Sequence, residues 1–369
     1  MIDTIRAKIE QDKRISEVEA LWLLEHGTAH DLGQLATLVR FRKNPERVVT
    51  YIIDRNINYT NICNVFCKFC AFYRTEKHDD KYTLTFEEIG QKIEEAKGLG
   101  ASRILLQGGH NPKLDIYYYE ELFQYIKSHH DIRNHALGPP EICHIAEVSH
   151  ISVGEVLDRL IEAGLDSLPG GGAEILTDAT RNRISPRKCS ADEWMNVMRE
   201  AHLRELPTTA TMMLGVGETP SERVEHFKRV RDLQDETHGF TSFIPWTFQP
   251  RNSALEGKIM ETDSWDYLRT LAVARVYFDN ITHIQLSYVT QGDQVAQVAM
   301  YFGADDYGST MIEENVVSAA GTHNLCGEEN MLRLIHECGF ASRLRDDSYE
   351  AFPPKDLSRL RPALAAAGA

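Results

Sequence analysis

Residues 208–237, TTATMMLGVGETPSERVEHFKRVRDLQDET, contain one complete structural unit of the chain. The run Thr208–Met213 is rich in β-branched and apolar residues, which favours a strand. After a turn that contains glycine, Thr219 is followed three residues later by Glu222, the spacing of a helix-capping box. Pro220 occupies the favoured first helical position. The stretch therefore predicts a strand, a short turn and a helix.

The same helix-start pattern, Ser/Thr-x-x-Glu, recurs at three other places along the chain. Each lies between a strand-like run and an apolar helical pattern: Thr85–Glu88, Ser152–Glu155 and Ser190–Glu193. The other runs that predict strands are Val48–Ile53, Ile104–Gln107, Ile132–Ala136, Leu165–Leu168, Ser242–Phe248, Ile281–Val289 and Val298–Phe302. The strand–helix unit is therefore repeated along the chain.

Repeated strand–helix units with short connections predict the α/β class with a parallel sheet, and seven or eight units predict a (βα)8-type, TIM-like barrel. An open doubly wound sheet is the alternative, but no Gly-x-Gly-x-x-Gly motif opens the first helix. Residues 1–46 have apolar residues at helical spacing and predict an N-terminal helical extension. The barrel is expected at 47–322, and a C-terminal helical segment with a tail at 323–369.

The composition excludes several classes of protein. The 369 residues include 40 Lys and Arg against 55 Asp and Glu, a formal net charge of −15, which argues against general binding to nucleic acid or to anionic membranes. No run reaches the roughly 18 consecutive apolar residues of a membrane span. The charged start, MIDTIRAKIEQDKRIS, has no signal-peptide core. We therefore expect a cytoplasmic protein that binds neither nucleic acid nor a membrane.

Three of the seven cysteines lie within eight residues, directly after the first predicted strand. Cys63, Cys67 and Cys70 have the spacing Cys-x3-Cys-x2-Cys, and cysteine thiolate is the usual ligand of iron–sulfur clusters. A zinc site would need a fourth ligand, for which His78 is the nearest histidine, and chance is the other alternative. The remaining cysteines are expected to be small core or surface residues: Cys143, Cys189, Cys326 and Cys338.

The cysteine motif, with the aromatic Phe69 before its last cysteine, resembles the signature of the radical S-adenosylmethionine (SAM) superfamily. The resemblance implies a [4Fe–4S] cluster held by the three cysteines, with SAM bound to the iron that no cysteine holds. It also implies that an electron from the cluster cleaves SAM to methionine and a 5′-deoxyadenosyl radical. The implied partners are a small-molecule substrate and a reductant such as flavodoxin or ferredoxin.

Further runs resemble the menaquinone-pathway branch of this superfamily, and within it the dehypoxanthine futalosine cyclases. They extend over residues 48–322: YIIDRNINYTNIC, CKFCAFYR, ILLQGGH, SLPGGGAEIL, RNRISPRK, TTATMMLGVGE, FIPWTFQP and SYVTQGDQ through MIEENVVSAAG. The implied reaction removes the ribose C4′ hydrogen of dehypoxanthine futalosine, and the carbon radical then attacks the benzoate ring. Aminofutalosine synthases and FO synthase subunits are alternatives. A non-catalytic iron–sulfur electron-transfer protein is the alternative from another class.

The resemblance implies that a turn after the second predicted strand binds the SAM amino group. Gln107, Gly108 and Gly109 stand where the superfamily has a Gly-Gly-Glu segment, and His110 follows them in place of glutamate. Because the family uses backbone carbonyls for this contact, the departure is tolerable. A plain strand–helix turn is the alternative.

Other SAM contacts are implied at four positions. Glu174 would meet the SAM ribose or amino group, and Arg183 would pair with its carboxylate, unless the two form only a surface ion pair. Met213 would pack against adenine or belong to the core. Phe69 would also contact SAM.

Polar residues near predicted strand ends are candidate catalytic or substrate contacts, because barrel sites form at the carboxyl ends of strands. They are Asp54, Asn56, His110, Gln291, Asp293 and Glu314. A base must take the final proton of the cyclisation, and His110, Asp293 and Glu314 are its unranked candidates. The sequence does not predict the oligomeric state.

Overall fold

In the computed structural model, which describes residues 1–324 and 326–349, strands and helices alternate along most of the chain. The strands are β1 (Val48–Ile52), β2 (Asp54–Asn58), β3 (Arg103–Gln107), β4 (Arg133–Ala136), β5 (Thr208–Leu214), β6 (Phe240–Thr247), β7 (His283–Ile284), β8 (Asp306–Ser309) and β9 (Ala341–Leu344). The helices are α1 (Ile2–Glu10), α2 (Glu17–His26), α3 (Ala29–Lys43), α4 (Phe86–Gly98), α5 (Ile116–His129), α6 (Pro139–Ser149), α7 (Val153–Ala163), α8 (Asp178–Ile184), α9 (Ala191–His202), α10 (Pro220–Thr237), α11 (Ser264–Tyr277), α12 (Tyr288–Gln291), α13 (Asp293–Ala299), α14 (Val316–Ala319) and α15 (Glu328–Glu337), with a 3-10 turn at Met300–Phe302.

The four helix starts predicted from the capping pattern are confirmed. Thr85, Ser190 and Thr219 each accept a hydrogen bond from the backbone N–H of a glutamate three residues later, and that glutamate's carboxylate accepts one from the capping residue's N–H. Ser152 caps α7 through the first of these two hydrogen bonds. Such caps stabilise a helix by roughly 1 kcal/mol, which helps to set where each helix begins after its strand or connecting loop.

The strands form three three-stranded sheets, ordered β8-β1-β9, β2-β3-β4 and β5-β6-β7, and every strand pair in them is parallel. Single-residue parallel bridges lie between the sheets. Ser167 bridges β4, Leu168 bridges β5, and Gln285 bridges β8. The α/β class with parallel sheets is therefore confirmed, and closure into one barrel stays a prediction.

Three helices, α1 to α3, occupy the segment for which the sequence predicts a helical extension. α3 packs against α11, and α2 packs against α10. These contacts bury Leu23 and Leu35 in the hydrophobic core. Arg14 forms ion pairs with Asp235 at 2.6 Å and Asp279 at 2.7 Å. The extension therefore packs on the helices that flank the third sheet.

Three of the predicted strands differ from the structure. The strand predicted at Val298–Phe302 is wrong, because Ala296, Ala299 and Met300 are buried at helical spacing and continue α13 into the 3-10 turn. The strand predicted at Ile281–Val289 is reduced to β7, since α12 begins at Tyr288. The run Leu165–Leu168 contributes only the two single-residue bridges at Ser167 and Leu168.

Two strands were not predicted: β2, whose residues Asp54 and Asn56 were expected at the end of the first strand, and β9, near the end of the described chain. β9 pairs in parallel with β1, from Val48 opposite Ala341 to Tyr51 opposite Leu344. β9 follows α15 within the segment predicted as a helical segment and tail, of which residues 325 and 350–369 lie outside the described residues. The predicted domain boundaries stay a prediction.

Across the described ranges, no helix combines the length and apolar character needed to span a bilayer.

Candidate active site

The three cysteines lie in the loop that follows β2, and backbone hydrogen bonds close this loop on itself. Cys63 N–H donates to Arg74 O at 2.9 Å, and Arg74 N–H donates to Asn61 O at 2.7 Å. Cys70 N–H donates to Cys67 O at 3.1 Å. All three cysteines are free thiols. The folded loop therefore holds three thiols close to the carboxyl end of the second sheet.

Burial and the neighbouring groups shift the pKa of two of the three thiols in this loop. Burial raises the pKa of Cys67 to about 12, with Lys188 opposing the shift and the Cys70 and Cys63 thiols adding to it. Burial also raises the pKa of Cys70. In residues 1–324 and 326–349, no three His, Cys, Asp or Glu side chains are grouped as ligands of a single metal ion. His78, which the zinc alternative would need, is exposed, and its Nδ1 accepts a hydrogen bond from a backbone N–H at 3.0 Å.

The turn after β3 packs directly against the cysteine loop. Gly109 N–H donates to Thr60 O at 2.9 Å. A Cβ added to Gly109 would lie 2.3 Å from Ile62 O, and one added to Gly108 would lie 2.6 Å from the Tyr59 ring. Because these distances are too short for any side chain, only glycine lets the two backbones meet. The predicted SAM-binding turn and the predicted cluster loop are therefore neighbours.

Glu141, near the start of α6, holds the same turn, and the sequence analysis did not identify it. Its carboxylate accepts hydrogen bonds from Gly108 N–H at 3.0 Å, Gly138 N–H at 2.8 Å and the Tyr59 hydroxyl at 2.8 Å. Burial raises the pKa of Glu141 to about 7, although these hydrogen bonds oppose the shift. The signal that could have identified it is Gly138-Pro-Pro-Glu141, a helix start with glutamate at the capping-box position.

Glu174 is buried, at 3% exposure, and has a left-handed backbone with φ of 44°. Lys188 Nζ donates to Glu174 Oε1 at 2.6 Å and lies 5.2 Å from the centre of the Phe69 ring. Burial lowers the pKa of Lys188, but the Glu174 carboxylate more than offsets this and raises it above its ordinary value. Lys188, which the sequence analysis missed, therefore links Glu174 to the cysteine motif.

The structure separates the other two predicted SAM contacts. Met213 is fully buried, and its N–H donates to Glu174 O at 2.9 Å. Arg183 is exposed, and its Nη2 donates to Gly217 O at 2.8 Å in the loop after β5. The carboxylate of Glu174 thus pairs with Lys188 rather than with Arg183. Met213 therefore lies beside Glu174, whereas the Arg183 guanidinium is bound to the loop after β5.

A cavity of about 260 Å³ opens among the strands, with a wall formed by residues of all three sheets. Asp54, Asn56 and Glu314 line it, and so does Gln107 of the glycine turn. The hydroxyl-bearing residues of the wall are Ser167, Thr208, Thr209, Thr211, Thr241, Ser242, Ser287, Tyr288, Thr290, Tyr307, Ser309 and Tyr349. Trp246 adds an apolar surface. Such a mixed wall suits a ligand that carries both a ring and several hydroxyl groups.

Three of the candidate catalytic or substrate residues lie outside the wall of this cavity: His110, Gln291 and Asp293. The His110 ring centre lies 5.0 Å from that of His144, and burial lowers the pKa of His110 well below its ordinary value. Gln291 Nε2 donates to Thr247 Oγ1 at 2.6 Å. The structure therefore brings together only half of the six candidates.

A buried charge network, also missed in the sequence analysis, closes the end of the cavity at the amino-terminal ends of the strands. Arg103, the first residue of β3, donates to Asp347 Oδ1 at 2.5 Å and to Asp54 Oδ2 at 2.8 Å. Arg345 donates to Asp306, the first residue of β8, at 2.9 Å. Asp54 is therefore an ion-pair partner at the cavity floor rather than a free carboxylate.

Comparison with known proteins places this chain in a family. Residues 57–230 match the radical SAM superfamily, and residues 237–357 match the family described as the CofH/MqnC C-terminal region. The chain is 45% identical to cyclic dehypoxanthine futalosine synthase of Halalkalibacterium halodurans over 95% of this chain and 94% of that protein. The chain belongs to the radical SAM superfamily, in the cyclic dehypoxanthine futalosine synthase family. The synthase of Streptomyces coelicolor is 43% identical, over 91% of this chain and 85% of that protein.

Sister enzymes and solved structures resemble this radical SAM chain less closely. Aminodeoxyfutalosine synthase of Thermus thermophilus is 38% identical over 94% of both chains. The crystal structure of methylornithine synthase (PylB) superposes with a TM-score of 0.71 at 19% identity, over 92% of this chain and 97% of that one. At that identity the superposition shows a shared fold.

Proposed function

We propose that this radical SAM enzyme converts dehypoxanthine futalosine into cyclic dehypoxanthine futalosine in menaquinone biosynthesis. The observation that carries the proposal is that three parts of the site lie next to one another, in a chain related to the cyclic dehypoxanthine futalosine synthases. These parts are a loop of three free thiols, a glycine turn packed on it, and a cavity whose wall includes Gln107 of that turn.

The three parallel sheets are proposed to be arcs of one eight-unit barrel. The single-residue bridges between the sheets support this, and only Ile53 separates β1 of the first sheet from β2 of the second. In a barrel, the loops after the strands form the reaction site and the opposite end contributes to stability. The cysteine loop and the charge network lie at these two ends.

Cys63, Cys67 and Cys70 are proposed to hold a [4Fe–4S] cluster, and the backbone of Gln107–Gly109 to hold the SAM amino group. The proposed side-chain contacts to SAM are Phe69, Glu174, Arg183 and Met213. The free thiols are the donor set that such a cluster needs, and the glycine turn packs its backbone against the loop that carries them. When bound, the reduced cluster and SAM supply a 5′-deoxyadenosyl radical that removes a hydrogen atom from the substrate.

The chain itself has to hold the substrate in a reactive orientation and keep water away from it. Asn56 lies at 4% exposure in the cavity wall, close to Asn58, whose Nδ2 donates to Gln107 O at 3.2 Å. These amide groups are proposed to bind ribose hydroxyls. Asp54 is proposed to hold Arg103 in place at the floor of the cavity. Gln291 lies outside the cavity wall and stays a proposed contact to the substrate.

Of the three candidates for the base, Glu314 is the one in the cavity wall. Its carboxylate accepts hydrogen bonds from the backbone N–H groups at the start of α14, including Val317 at 2.8 Å and Ser318 at 2.9 Å. The carboxylate of Asp293 instead accepts a hydrogen bond from Asn330 Nδ2 at 3.0 Å. We therefore favour Glu314 over Asp293 and His110 as acceptor of the final proton.

A reductant such as flavodoxin or ferredoxin is the proposed protein partner, and the cytoplasm is the proposed location. Such a donor would supply the electron that a cluster bound by the three cysteines would need.

Reconstituted protein incubated anaerobically with dithionite and SAM tests the proposal. Dehypoxanthine futalosine should yield a product lighter by two hydrogen atoms, together with 5′-deoxyadenosine. An enolpyruvyl substrate or a mixture of tyrosine and an aminouracil should yield neither. Turnover of one of those substrates instead would assign the chain to a sister activity.

A further inference from the structure

A buried histidine, His135 of β4, stands at the end of a chain of hydrogen bonds that begins in the charge network. Arg103 donates to Asp347 Oδ1 at 2.5 Å, and Ser167 Oγ donates to Asp347 Oδ2 at 3.0 Å. His135 Nδ1 lies 2.7 Å from Ser167 Oγ. His135 and Ser167 are 5% and 2% exposed, and both line the cavity. The sequence analysis identified neither as a candidate site residue.

The directions of these hydrogen bonds fix which nitrogen of His135 carries the proton. The Asp347 carboxylate is paired with Arg103 and can only accept, so Ser167 uses its single proton for that contact. Ser167 Oγ then accepts from His135, which puts the proton of the neutral ring on Nδ1. Burial lowers the pKa of His135 to about 3, and the Arg103 charge acts in the same direction. Asp347 opposes this shift, and Arg345 adds to it. Nε2 is therefore unprotonated at neutral pH.

The second ring nitrogen of His135 is an acceptor that the described residues leave unused. Within residues 1–324 and 326–349, the hydrogen bond of this ring is the one from Nδ1 to Ser167, and no group donates to Nε2. The ring belongs to the cavity wall. Buried acceptors are normally paired, because an unpaired one costs free energy. A hydrogen-bond donor on a ligand in the cavity would satisfy Nε2.

The register of the second sheet places His135 at the same level of the cavity as Asn56. Asn56 of β2 pairs with Leu105 of β3, and Leu105 pairs with His135. All three residues line the cavity. Adjacent strands lie about 4.8 Å apart, so the Cα atoms of Asn56 and His135 are roughly 10 Å apart. This level therefore offers an amide on one side and an imidazole acceptor on the other.

The level of Leu105 lies between the proposed SAM site and the charged floor. On β3, the residues that line the cavity are Arg103, Leu105 and Gln107, which are alternate positions on one face of the strand. Each step of two residues is about 6.6 Å long. Gln107 belongs to the glycine turn, and Arg103 belongs to the floor. A ligand group at the level of Leu105 therefore lies roughly one such step from the glycine turn.

We propose that His135 determines specificity in the cyclisation, because its Nε2 accepts a hydrogen bond from a ribose hydroxyl of dehypoxanthine futalosine. This inference rests on the proposed function. The ribose end of the substrate carries hydroxyl donors, whereas the ionised benzoate carboxylate has only acceptor oxygens. The lone pair of Nε2 therefore attracts the ribose and repels the carboxylate. Together with Asn56, it places the ribose rather than the benzoate next to the glycine turn.

Binding of substrate analogues to the holoenzyme tests this role without turnover, since no reductant is added. His135→Asn puts an amide Nδ2 near the position of Nδ1, so it can keep the hydrogen bond to Ser167 but lacks the acceptor Nε2. Calorimetry in the presence of SAM compares dehypoxanthine futalosine with analogues that each lack one ribose hydroxyl. Wild type should bind one analogue roughly fivefold or more weakly than the parent compound. His135→Asn should bind these two ligands equally.

The outcomes separate this inference from the proposed function. His135→Asn that keeps the full wild-type discrimination against every analogue would overturn the inference, and so would wild type that binds all the analogues as well as the parent. Wild type that binds none of these ligands would count against the proposed function itself. His150→Asn, which changes an exposed histidine, should discriminate as wild type does. Unchanged iron content and SAM affinity show that each variant is folded.

NMR of wild-type holoenzyme with ¹⁵N-labelled histidine tests the same contact in the unaltered chain. The His135 ring should show a protonated Nδ1 and an unprotonated Nε2, and its signals are assigned by their loss in His135→Asn or His135→Gln. Addition of dehypoxanthine futalosine in the presence of SAM should move the Nε2 signal to lower chemical shift, as happens when an acceptor nitrogen gains a hydrogen bond. A proton on Nε2, or an Nε2 signal that bound substrate does not move, would overturn the inference.

Discussion

Glu141 joins the ends of three strands through one buried carboxylate. It holds Gly108 after β3, Gly138 after β4, and Tyr59, the residue after β2. Because burial raises its pKa from 4.5 to about 7, the native state binds more protons than the unfolded state between these pH values. The free energy of unfolding should therefore fall as the pH rises through this window, by on the order of 2–3 kcal/mol.

Glu141→Gln should remove this pH dependence, since an amide does not titrate. Urea unfolding of the two proteins at a series of pH values from 4.5 to 7.5 measures it. Glu147→Gln, which changes an exposed carboxylate on the same helix, is the matched control and should keep the wild-type slope. Parallel curves for wild type and Glu141→Gln would show that this carboxylate is not the titrating group.

Arg183 offers a second test at the scale of one residue. If its guanidinium pairs with the SAM carboxylate, Arg183→Lys keeps the charge and loses the two-pronged geometry. The loss should be on the order of 1.5–3 kcal/mol, or about 10- to 150-fold in the SAM dissociation constant. Iron content should not change. Arg199→Lys, on the surface of α9, is the control for the substitution itself, and an unchanged SAM affinity for Arg183→Lys would leave Arg183 as a residue that binds only the Gly217 loop.

At the scale of elements, the contact between the cysteine loop and the turn after β3 depends on Gly109. Gly109→Ala would place a Cβ 2.3 Å from Ile62 O, so the turn has to move away from the loop. We expect Gly109→Ala to lose most SAM binding and to retain less iron than wild type. Gly98→Ala, at the end of α4, meets no atom within 4 Å and should be neutral or stabilising by roughly 0.5–1 kcal/mol. Normal SAM binding by Gly109→Ala would show that the close approach is not needed.

Local signals predicted the helix starts, because a capping box is complete within four residues. Strand prediction failed where pairing or burial overrode local composition. The run Val298–Phe302 is apolar enough for a strand, but the burial of Met300 one helical turn after Ala296 continues α13. β9, with the sequence Ala-Ser-Arg-Leu, has no strong strand pattern and exists because β1 offers it an edge.

The site residues that could be predicted also lie in short local motifs, and those that were missed depend on contacts between distant segments. The cysteines and the glycine turn lie in short motifs, so the sequence was sufficient to propose them. The contact of Glu174 with Lys188 depends on how two loops meet, and no motif records it. Resemblance to the family suggested Arg183 as the cation for this region, whereas the structure places Lys188 beside Glu174.

At the scale of the whole molecule, a charge network joins residues that no local pattern connects. Arg103 of β3 meets Asp54 of β2 and Asp347, which follows β9. Burial opposes ionisation of Asp347, but Arg103 holds its pKa below the ordinary value. The stability from this pair is therefore present above the unfolded pKa of about 3.9 and is lost as the pH falls below it.

Asp347→Asn should lower the free energy of unfolding at pH 7 by roughly 3–5 kcal/mol, because it leaves Arg103 buried with one partner fewer. The difference from wild type should narrow as the pH falls below about 3.9. Urea unfolding at pH 7 and at pH 3 measures both effects, with the exposed Asp79→Asn as control. A loss below 1 kcal/mol at pH 7 would indicate that the floor of the cavity does not depend on this pair.

The central claim, cyclisation through the ribose C4′ radical, is tested most directly by the fate of one hydrogen atom. Dehypoxanthine futalosine deuterated at ribose C4′ should transfer its label into 5′-deoxyadenosine, one per turnover, while SAM is consumed. The product is cyclised and has lost two hydrogens, so no substrate radical is left to take the hydrogen back. Mass spectrometry of 5′-deoxyadenosine from a single anaerobic reaction gives the answer. Deuterium in 5′-deoxyadenosine is the result we predict, and unlabelled 5′-deoxyadenosine from efficient turnover would contradict C4′ abstraction.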